Sequence, residues 1–223
     1  MSSNVIEVRD LVKKYDERDP ILNGITFSVK DRGFVTVYGK SGCGKTTLLN
    51  ILGGLDKPTS GGVTIDGQDI TQMSEDELAH MRLEKIGFVF QDFNLLTDMT
   101  IRDNIALPLR FSRRRNEDRV DDLMKKFHID HLADETANKT SGGEAQRAAI
   151  ARALVNEPRI ILADEPTGNL DSENTANVIE TFKMAVNEYG TTVILATHDK
   201  ELAAYSDTRI AVVDAKAILD VTN

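Results

Sequence analysis

The segment Gly39-Lys40-Ser41-Gly42-Cys43-Gly44-Lys45-Thr46 follows the pattern G-x-x-x-x-G-K-[ST]. Glycines at this spacing let backbone N–H groups converge on phosphate oxygens with no Cβ in the way. The positive end of a following helix adds to the attraction. Lys45 would reach the β- and γ-phosphates of a nucleotide, and the Thr46 hydroxyl would ligate Mg²⁺. The bland alternative is a glycine turn with a lysine nearby, and the motif by itself does not choose among kinases, GTPases and transport ATPases.

A second acidic feature ends an apolar run: Ile160-Ile161-Leu162-Ala163-Asp164-Glu165. In open α/β sheets ligands bind beyond the carboxyl ends of strands. Asp164 there would hold Mg²⁺ through water, and Glu165, pointing elsewhere because strand side chains alternate, would orient or deprotonate an attacking water. By itself the pair reads equally well as a solvated turn before Pro166. Two more polar residues end apolar runs in the same way. His198, in Thr197-His198-Asp199, follows the apolar run 193–196 and is a candidate γ-phosphate contact. Gln91 follows Phe88-Val89-Phe90, with an amide oxygen suited to Mg²⁺ or the attacking water.

These residues need strands behind them and helices between. Residues 5–8 and 25–29 alternate with period 2, and 34–38 is a denser apolar run, the pattern of a strand buried on both faces. Residues 46–53 read as a helix. Around Val63-Thr64-Ile65, turns are expected at Ser60-Gly61-Gly62 and at Asp66-Gly67. Residues 74–83 read as a helix opened by a Ser74/Glu77 capping box, and 86–90 as a strand. Residues 92–140 change to helical periodicity, with Leu123, Met124 and Phe127 on one face, and are expected to form a helical insertion. Helices over 141–156, 173–188 and 200–205 then alternate with strands over 160–163, 192–196 and 209–213, which implies a mainly parallel sheet.

The chain has 223 residues, 40% of them hydrophobic, with 27 basic against 36 acidic side chains and a formal net charge of −9. This suits one domain with an insertion and an ample core. The acidic balance argues against a nucleic-acid partner. Cys43 is the sole cysteine, so there is no internal disulfide and no zinc spacing, which points to a reducing compartment. Residues 1–10 lack the basic and apolar regions of a signal peptide, and no apolar run approaches the ~20 residues that span a bilayer.

Together these segments resemble the nucleotide-binding subunit of ATP-binding-cassette (ABC) transporters, over nearly the whole chain and in that family's motif order. Residues 39–46 are similar to Walker A and 160–164 to Walker B, with Glu165 in the place of the catalytic glutamate. Gln91 resembles the Q-loop glutamine, His198 the switch histidine and Asn169-Leu170-Asp171 the D-loop. Thr140-Ser141-Gly142-Gly143-Glu144-Ala145-Gln146-Arg147 resembles the signature usually written LSGGQ, and Ser141 with Glu144 also fits a capping box.

The resemblance implies an α/β P-loop NTPase fold over residues 5–223. It would have a mainly parallel core sheet, an N-terminal antiparallel β subdomain, and a helical subdomain at about 92–140 continued by the signature helix 141–156. It implies an ATPase in which Glu165, His198 and Lys45 are catalytic. ATP would lie on Tyr15 (stacked on adenine), Gly39, Lys40, Ser41, Gly42, Cys43, Gly44, Lys45, Thr46, Thr47 and Gln91. Mg²⁺ would be held by Thr46, Gln91 and, through water, Asp164. Ser141, Gly142, Gly143, Glu144 and Asp171 would contact ATP on a second subunit, so two ATPs are sandwiched in a homodimer. The partners implied are that second subunit and integral membrane permeases, placing the chain at the cytoplasmic face of a membrane.

Residues 87–96, Ile105-Ala106-Leu107-Pro108-Leu109 and 163–171 look like the bacterial subgroup serving lipoprotein release, macrolide or antimicrobial-peptide export, or FtsE-type cell division. In the last case the ATPase would gate a wall-remodelling complex without transport. Three local departures stand out. Thr140 replaces the usual leucine, and the run 132–140 is shorter than in related sequences and lacks their proline. Ala215 occupies a turn where Asp-Gly is typical, which predicts a different turn because alanine resists positive φ. Residues 110–119 hold Arg110, Arg113, Arg114, Arg115 and Arg119, read as a solvated helix face or a contact for anionic headgroups. Cys43, beside Lys45 at a helix N-terminus, is a candidate reactive thiol.

Overall fold

A computed structural model describes residues 4–16, 19–112 and 116–221. In chain order the elements are β1 (Asn4–Lys13), β2 (Leu22–Lys30), β3 (Phe34–Tyr38), α1 (Lys45–Leu52), β4 (Ser60–Ile65), β5 (Gln68–Asp69), α2 (Glu75–Lys85) and β6 (Ile86–Phe90). They continue with α3 (Ile101–Ala106), α4 (Asp118–Lys126), α5 (Gly142–Leu154), β7 (Ile160–Asp164), α6 (Ser172–Asn187), β8 (Thr192–Thr197), α7 (Lys200–Ala203), β9 (Thr208–Val213) and β10 (Lys216–Val221). Short 3₁₀ turns fill Ile70–Gln72, Leu107–Arg110, Asp130–Leu132 and Ala137–Lys139.

Two sheets form. One has four antiparallel strands in the order β2-β1-β4-β5; the other has six, in the order β10-β9-β3-β8-β7-β6. In the larger sheet β9, β3, β8, β7 and β6 run parallel, and β10 turns back against β9. Its central strands are apolar throughout because both faces are covered. On β7, Ile160 and Leu162 face a core shared with α1 and the antiparallel sheet, while Ile161 and Ala163 face α3, α4, α5 and α6. On β8, Ile194 and Ala196 take the first side and Val193 and Leu195 the second. Helix α1 sits within the first core, burying Leu48, Ile51 and Leu52, each such side chain contributing about 1.5–3 kcal/mol when fully buried.

Local chemistry sets several boundaries as anticipated. Ser74 accepts from Glu77 N and Glu77 accepts from Ser74 N, the reciprocal capping box that opens α2. The Asp66-Gly67 turn joins β4 to β5 with φ of 48° and 77°. The expected turn at Ser60-Gly61-Gly62 is absent: these residues belong to β4. Gly61, at φ 89°, faces the irregularity in β1 around Asp10, whose carbonyl comes so close that a Cβ would not fit. The glycine serves a bulge rather than a reversal.

Between β6 and α5 the chain makes α3, α4 and 3₁₀ turns that bury Ile101, Ile105, Leu123, Met124 and Phe127 against α5. The short run before the signature is pinned to the start of α3: Ile101 N donates to Glu135 O (2.9 Å) and Ala137 N to Met99 O (3.2 Å). Thr140 donates its hydroxyl to Ala137 O (2.9 Å), closing the last 3₁₀ turn with a bond that a leucine lacks.

Two expectations are corrected. The basic stretch is not one solvated helix face, since α4 begins at Asp118. Arg110 pairs with Asp103 (3.0 Å). Arg119, 16% exposed, pairs with Glu157 (3.2 Å) and lies over the Tyr189 ring. Arg113, Arg114 and Arg115 lie outside the described residues. The turn at Ala215 also keeps the form that a glycine would favour. Asp214 and Ala215 have φ of 49° and 63°, between paired Val213 and Lys216. Of the two-residue turns that match the right-handed twist of a hairpin, this is the type I′ form, with positive φ at both central positions, and Asn23 N, donating to Ala215 O (2.7 Å), anchors it to β2. Alanine therefore adopts a strained conformation. Ala215→Gly should stabilise the chain by about 0.5–1 kcal/mol; a urea midpoint equal to or below the parent's would contradict the strain.

Candidate active site

Parallel register brings the chemistry to one edge. Tyr38 pairs with Thr197, Phe90 with Asp164, and Asp164 with Ala196. The residues that follow these strand ends, Gly39, Gln91, Glu165 and His198, thus leave the sheet at one edge. Gly44 occupies the N-cap of α1 at φ 102° with no side-chain cap. That conformation is open to glycine, and it leaves the first N–H groups of α1 without a capping side chain.

Lys45 is 6% exposed. Its ammonium donates to Gly39 O (3.0 Å) and Lys40 O (3.3 Å) and lies 3.5 Å from Glu165 Oε1. Glu165 Oε2 is 2.9 Å from His198 Nδ1. The Glu165 backbone is left-handed, with φ 46°, and its N–H is held by Ala196 O (2.9 Å). A glutamate at positive φ is a strained arrangement of the kind found at working sites, and here it aims the carboxylate between Lys45 and His198. With Nδ1 engaged by the carboxylate, His198 keeps Nε2 for a ligand. Cys43 is half-buried, packed against the core under the loop.

Asp164 points the other way, toward Thr46. Burial pushes its carboxyl above the ordinary range; the Thr46 hydroxyl draws it back, Glu165 pushes it up and Lys45 draws it down. Its Oδ1 is buried with no partner. A hydroxyl beside a carboxylate with an unused buried oxygen is a hard, all-oxygen donor set, which suits Mg²⁺ completed by phosphate and water.

Gln91 and Asn169 touch, Gln91 Nε2 lying 3.4 Å from Asn169 Oδ1, and Asn169 also donates to Asp92 (3.1 Å). Just beyond, Phe93 and Asn94 are left-handed (φ 60° and 49°), and the Arg152 guanidinium donates to both of their carbonyls (2.8 and 2.6 Å). Neither the pairing of Asn169 with Gln91 nor the part played by Arg152 is legible in the sequence. Arg152 sits in the helical period of α5 like any surface arginine, and its role depends on a non-local backbone. Tyr15, 42% exposed, donates its phenol to Asp56 and lies next to Thr47.

The signature-like residues stand apart. Ser141 caps α5, with Glu144 Oε2 accepting from Ser141 N (2.8 Å), and His131 lies 3.6 Å from Glu144. The Ser141 hydroxyl and N–H hold the Glu144 carboxyl below its usual range. Gly142 lies near Leu170 and Gly143 against Asn174, the residue whose backbone N–H Asp171 caps at 2.8 Å. Among the described residues no hydrogen bond or ion pair joins residues 141–144 to residues 39–46. One chain assembles the strand-end cluster and leaves this helix start outside it.

A family model described as "ABC transporter" matches residues 22–168. The chain belongs to that family. Among relatives of this ABC ATPase, the lipoprotein-releasing system ATP-binding protein LolD 1 of Chlorobium chlorochromatii is 42% identical over 216 residues, covering 95% of this chain and 88% of its own length. The macrolide export ATP-binding/permease protein MacB of Syntrophobacter fumaroxidans is 44% identical over 208 residues, 90% of this chain but 29% of that protein. The chain thus spans about a third of the MacB proteins it matches. Among solved structures, the dimeric post-hydrolysis state of the cassette MJ0796 bound to ADP and Pi is 37% identical with a TM-score of 0.88, covering 98% of this chain and 99% of that one. The α/β cassette fold, the ATPase activity and the use of ATP with Mg²⁺ follow from this membership. Among the described residues no helix is long and apolar enough to cross a membrane.

The raised Asp164 gives this cassette a pH signature. The folded chain holds that proton more tightly than the unfolded chain, so the ionised carboxylate destabilises the fold as pH rises above about 4 and through the raised value. Asp164→Asn should therefore melt higher than the parent at pH 7 without nucleotide, with a gain that shrinks toward pH 4. Thermal melts across that range check this; a gain independent of pH would refute it.

Proposed function

We propose that this ABC ATPase powers a complex with membrane permease subunits that exports or extracts lipoproteins, peptides or macrolide-like compounds. The names of the LolD and MacB relatives support the substrate class. The permease reading draws on a groove of about 500 Å³ between the sheet edge and the inserted helices, with Leu55, Phe88, Phe90, Pro108 and Arg152 in its lining. Through that association the chain would sit at the cytoplasmic face of a membrane. The helices of residues 92–140, with α5, would act as one helical subdomain. An FtsE-type role without transport is the other reading raised by the sequence, and no feature of the structure favours it.

In this proposal Tyr15 stacks on adenine, residues 39–47 cradle the phosphates, and Lys45 leaves the loop carbonyls for the β- and γ-phosphates. Mg²⁺, held by Thr46, Gln91 and, through water, Asp164, would supply charge neutralisation at the β- and γ-oxygens. Glu165 takes a proton from water as the water oxygen bonds to the γ-phosphorus and the bond to the bridging oxygen breaks, giving ADP and phosphate. His198 steadies the transferring group. Ser141, Gly142, Gly143, Glu144 and Asp171 complete the site of a second copy, so that two chains close around two ATPs. The observation that carries this reading is a separation within one chain: Lys45, Thr46, Asp164, Glu165 and His198 share one cluster, while a well-capped helix N-terminus lies outside it.

Glu165→Gln should lower turnover ~10²–10⁴-fold while ATP with Mg²⁺ drives the variant into a dimer on size-exclusion chromatography with light scattering; a strictly monomeric variant would sink the sandwich. Lys45→Ala should weaken ATP binding by about 10- to 100-fold, the loss expected for charge-assisted bonds to phosphate. Calorimetric titration checks it, and unchanged affinity would remove Lys45 from the phosphate site.

A further inference from the structure

Three side chains from two parts of the chain meet beside the phosphate loop. The Lys13 ammonium, at the end of β1, donates to Asp56 Oδ1 (2.6 Å) and to Lys57 O (2.8 Å). The same ammonium lies 4.4 Å from the centroid of the Tyr15 ring. The Tyr15 phenol donates to the other Asp56 oxygen. Lys13 is 8% exposed and Tyr15 42%. A nearly buried cation therefore stands against a half-open aromatic ring, and one carboxylate holds both.

Asp56 is reached directly from α1. The chain leaves the helix through Gly53 and Gly54, and Asp56 N donates to Asn50 O (3.2 Å). The helix that begins at the phosphate loop thus ends in the carboxylate that holds the tyrosine. Tyr15 itself lies in the connection between β1 and β2, closed by Ile21 N donating to Lys13 O (2.8 Å). Besides the bond to Asp56, the ring has the Lys13 ammonium against its face and Thr47, in the first turn of α1, beside its phenol. The electrostatics agree. Burial alone would raise the Asp56 carboxyl, yet bonds from Lys13 and Tyr15 hold it below its usual range, so it stays a carboxylate able to accept from both.

We propose that Asp56 and Lys13 are positioning residues for nucleotide binding, forming a brace that holds the Tyr15 ring at a set distance from the phosphate loop so that it serves as a preorganised platform for the base. This rests on the reading of Tyr15 as the base-stacking residue. The brace acts on affinity for the base-bearing part of the ligand and leaves the phosphate cradle untouched. Preorganisation contributes by removing the ordering cost from the binding step, and the cation against the ring restricts it further.

The test compares two ligands on the full chain, ADP and pyrophosphate, each with Mg²⁺, by calorimetry. Their affinity ratio isolates the base and ribose. Tyr15→Ala should reduce the ratio by about 10- to 100-fold, the range for loss of a stacking platform. Asp56→Asn should reduce it by about 3- to 10-fold, as should Tyr15→Phe, which keeps the ring and loses the phenol. Pyrophosphate affinity should stay within about twofold of the parent in all three. If Tyr15→Ala lowers the ratio while Asp56→Asn and Tyr15→Phe leave it at the parent value, the brace is overturned and the stacking reading stands. If Tyr15→Ala leaves the ratio unchanged, the stacking reading fails and the brace with it. Equal loss of both ligands in Asp56→Asn would show damage to α1 and its loop, and would also overturn the brace. Tyr15→Phe decides between these outcomes even if Asp56→Asn does not fold.

Discussion

The parallel register of β3, β8, β7 and β6 is the constraint on which the rest depends. Hydrogen bonds between these strands align Tyr38 with Thr197 and Phe90 with Asp164, so the segments leave the sheet at one edge, with Gln91, Glu165 and His198 at three of the exits and the glycine loop at the fourth. A slip of one residue would turn the apolar set of a strand to the wrong face. Because both faces of the sheet are buried, the register is held by packing on two sides at once. The positions of Lys45, Asp164, Glu165 and His198 follow from a core that contains none of them except the nearly buried Lys45.

Within that frame the site balances charge locally. Lys45 is shared between loop carbonyls and Glu165, and Glu165 between Lys45 and His198. Asp164 keeps an oxygen with no partner inside the protein. Groups arranged in this way are satisfied well enough for the chain to fold, yet they retain donors and a carboxylate oxygen for a phosphate and a cation. The residues proposed to complete a second copy's site open α5, whose N-terminus is capped by its own Ser141 and Glu144. Arg152, near the other end of that helix, holds the left-handed backbone at Phe93 and Asn94 just beyond Gln91. One rigid helix therefore joins the signature-like start to the loop carrying Gln91, and its far end lines the groove read as the permease contact.

Much of this was legible in the amino-acid order because it is local. The glycine spacing of residues 39–46, the capping boxes at Ser74 and Ser141, and the apolar runs ending in Asp164, His198 and Gln91 each declare their own geometry within a few residues. The misreadings came where distant contacts override local preference. Gly61 resembles a turn residue until the β1 irregularity opposite it is known. Ala215 opposes a left-handed turn, yet the β9–β10 pairing imposes one. Arg119 looks like part of a solvated basic run and is instead held against Tyr189 and Glu157.

By itself, the sequence determined the glycine loop ahead of α1, the alternation of strands and helices, and which residues stand at strand ends, because these depend on residue type and short-range periodicity. Tertiary structure alone decided which of those ends meet, that Glu165 lies between Lys45 and His198 while Asp164 turns to Thr46, and that Arg152 clamps the backbone at Phe93 and Asn94 and Lys13, Asp56 and Tyr15 come together. The physical reason is range. A cap or a glycine loop is specified by neighbours in the chain, whereas a shared carboxylate or a clamped carbonyl exists only after the sheet has brought remote segments within hydrogen-bonding distance.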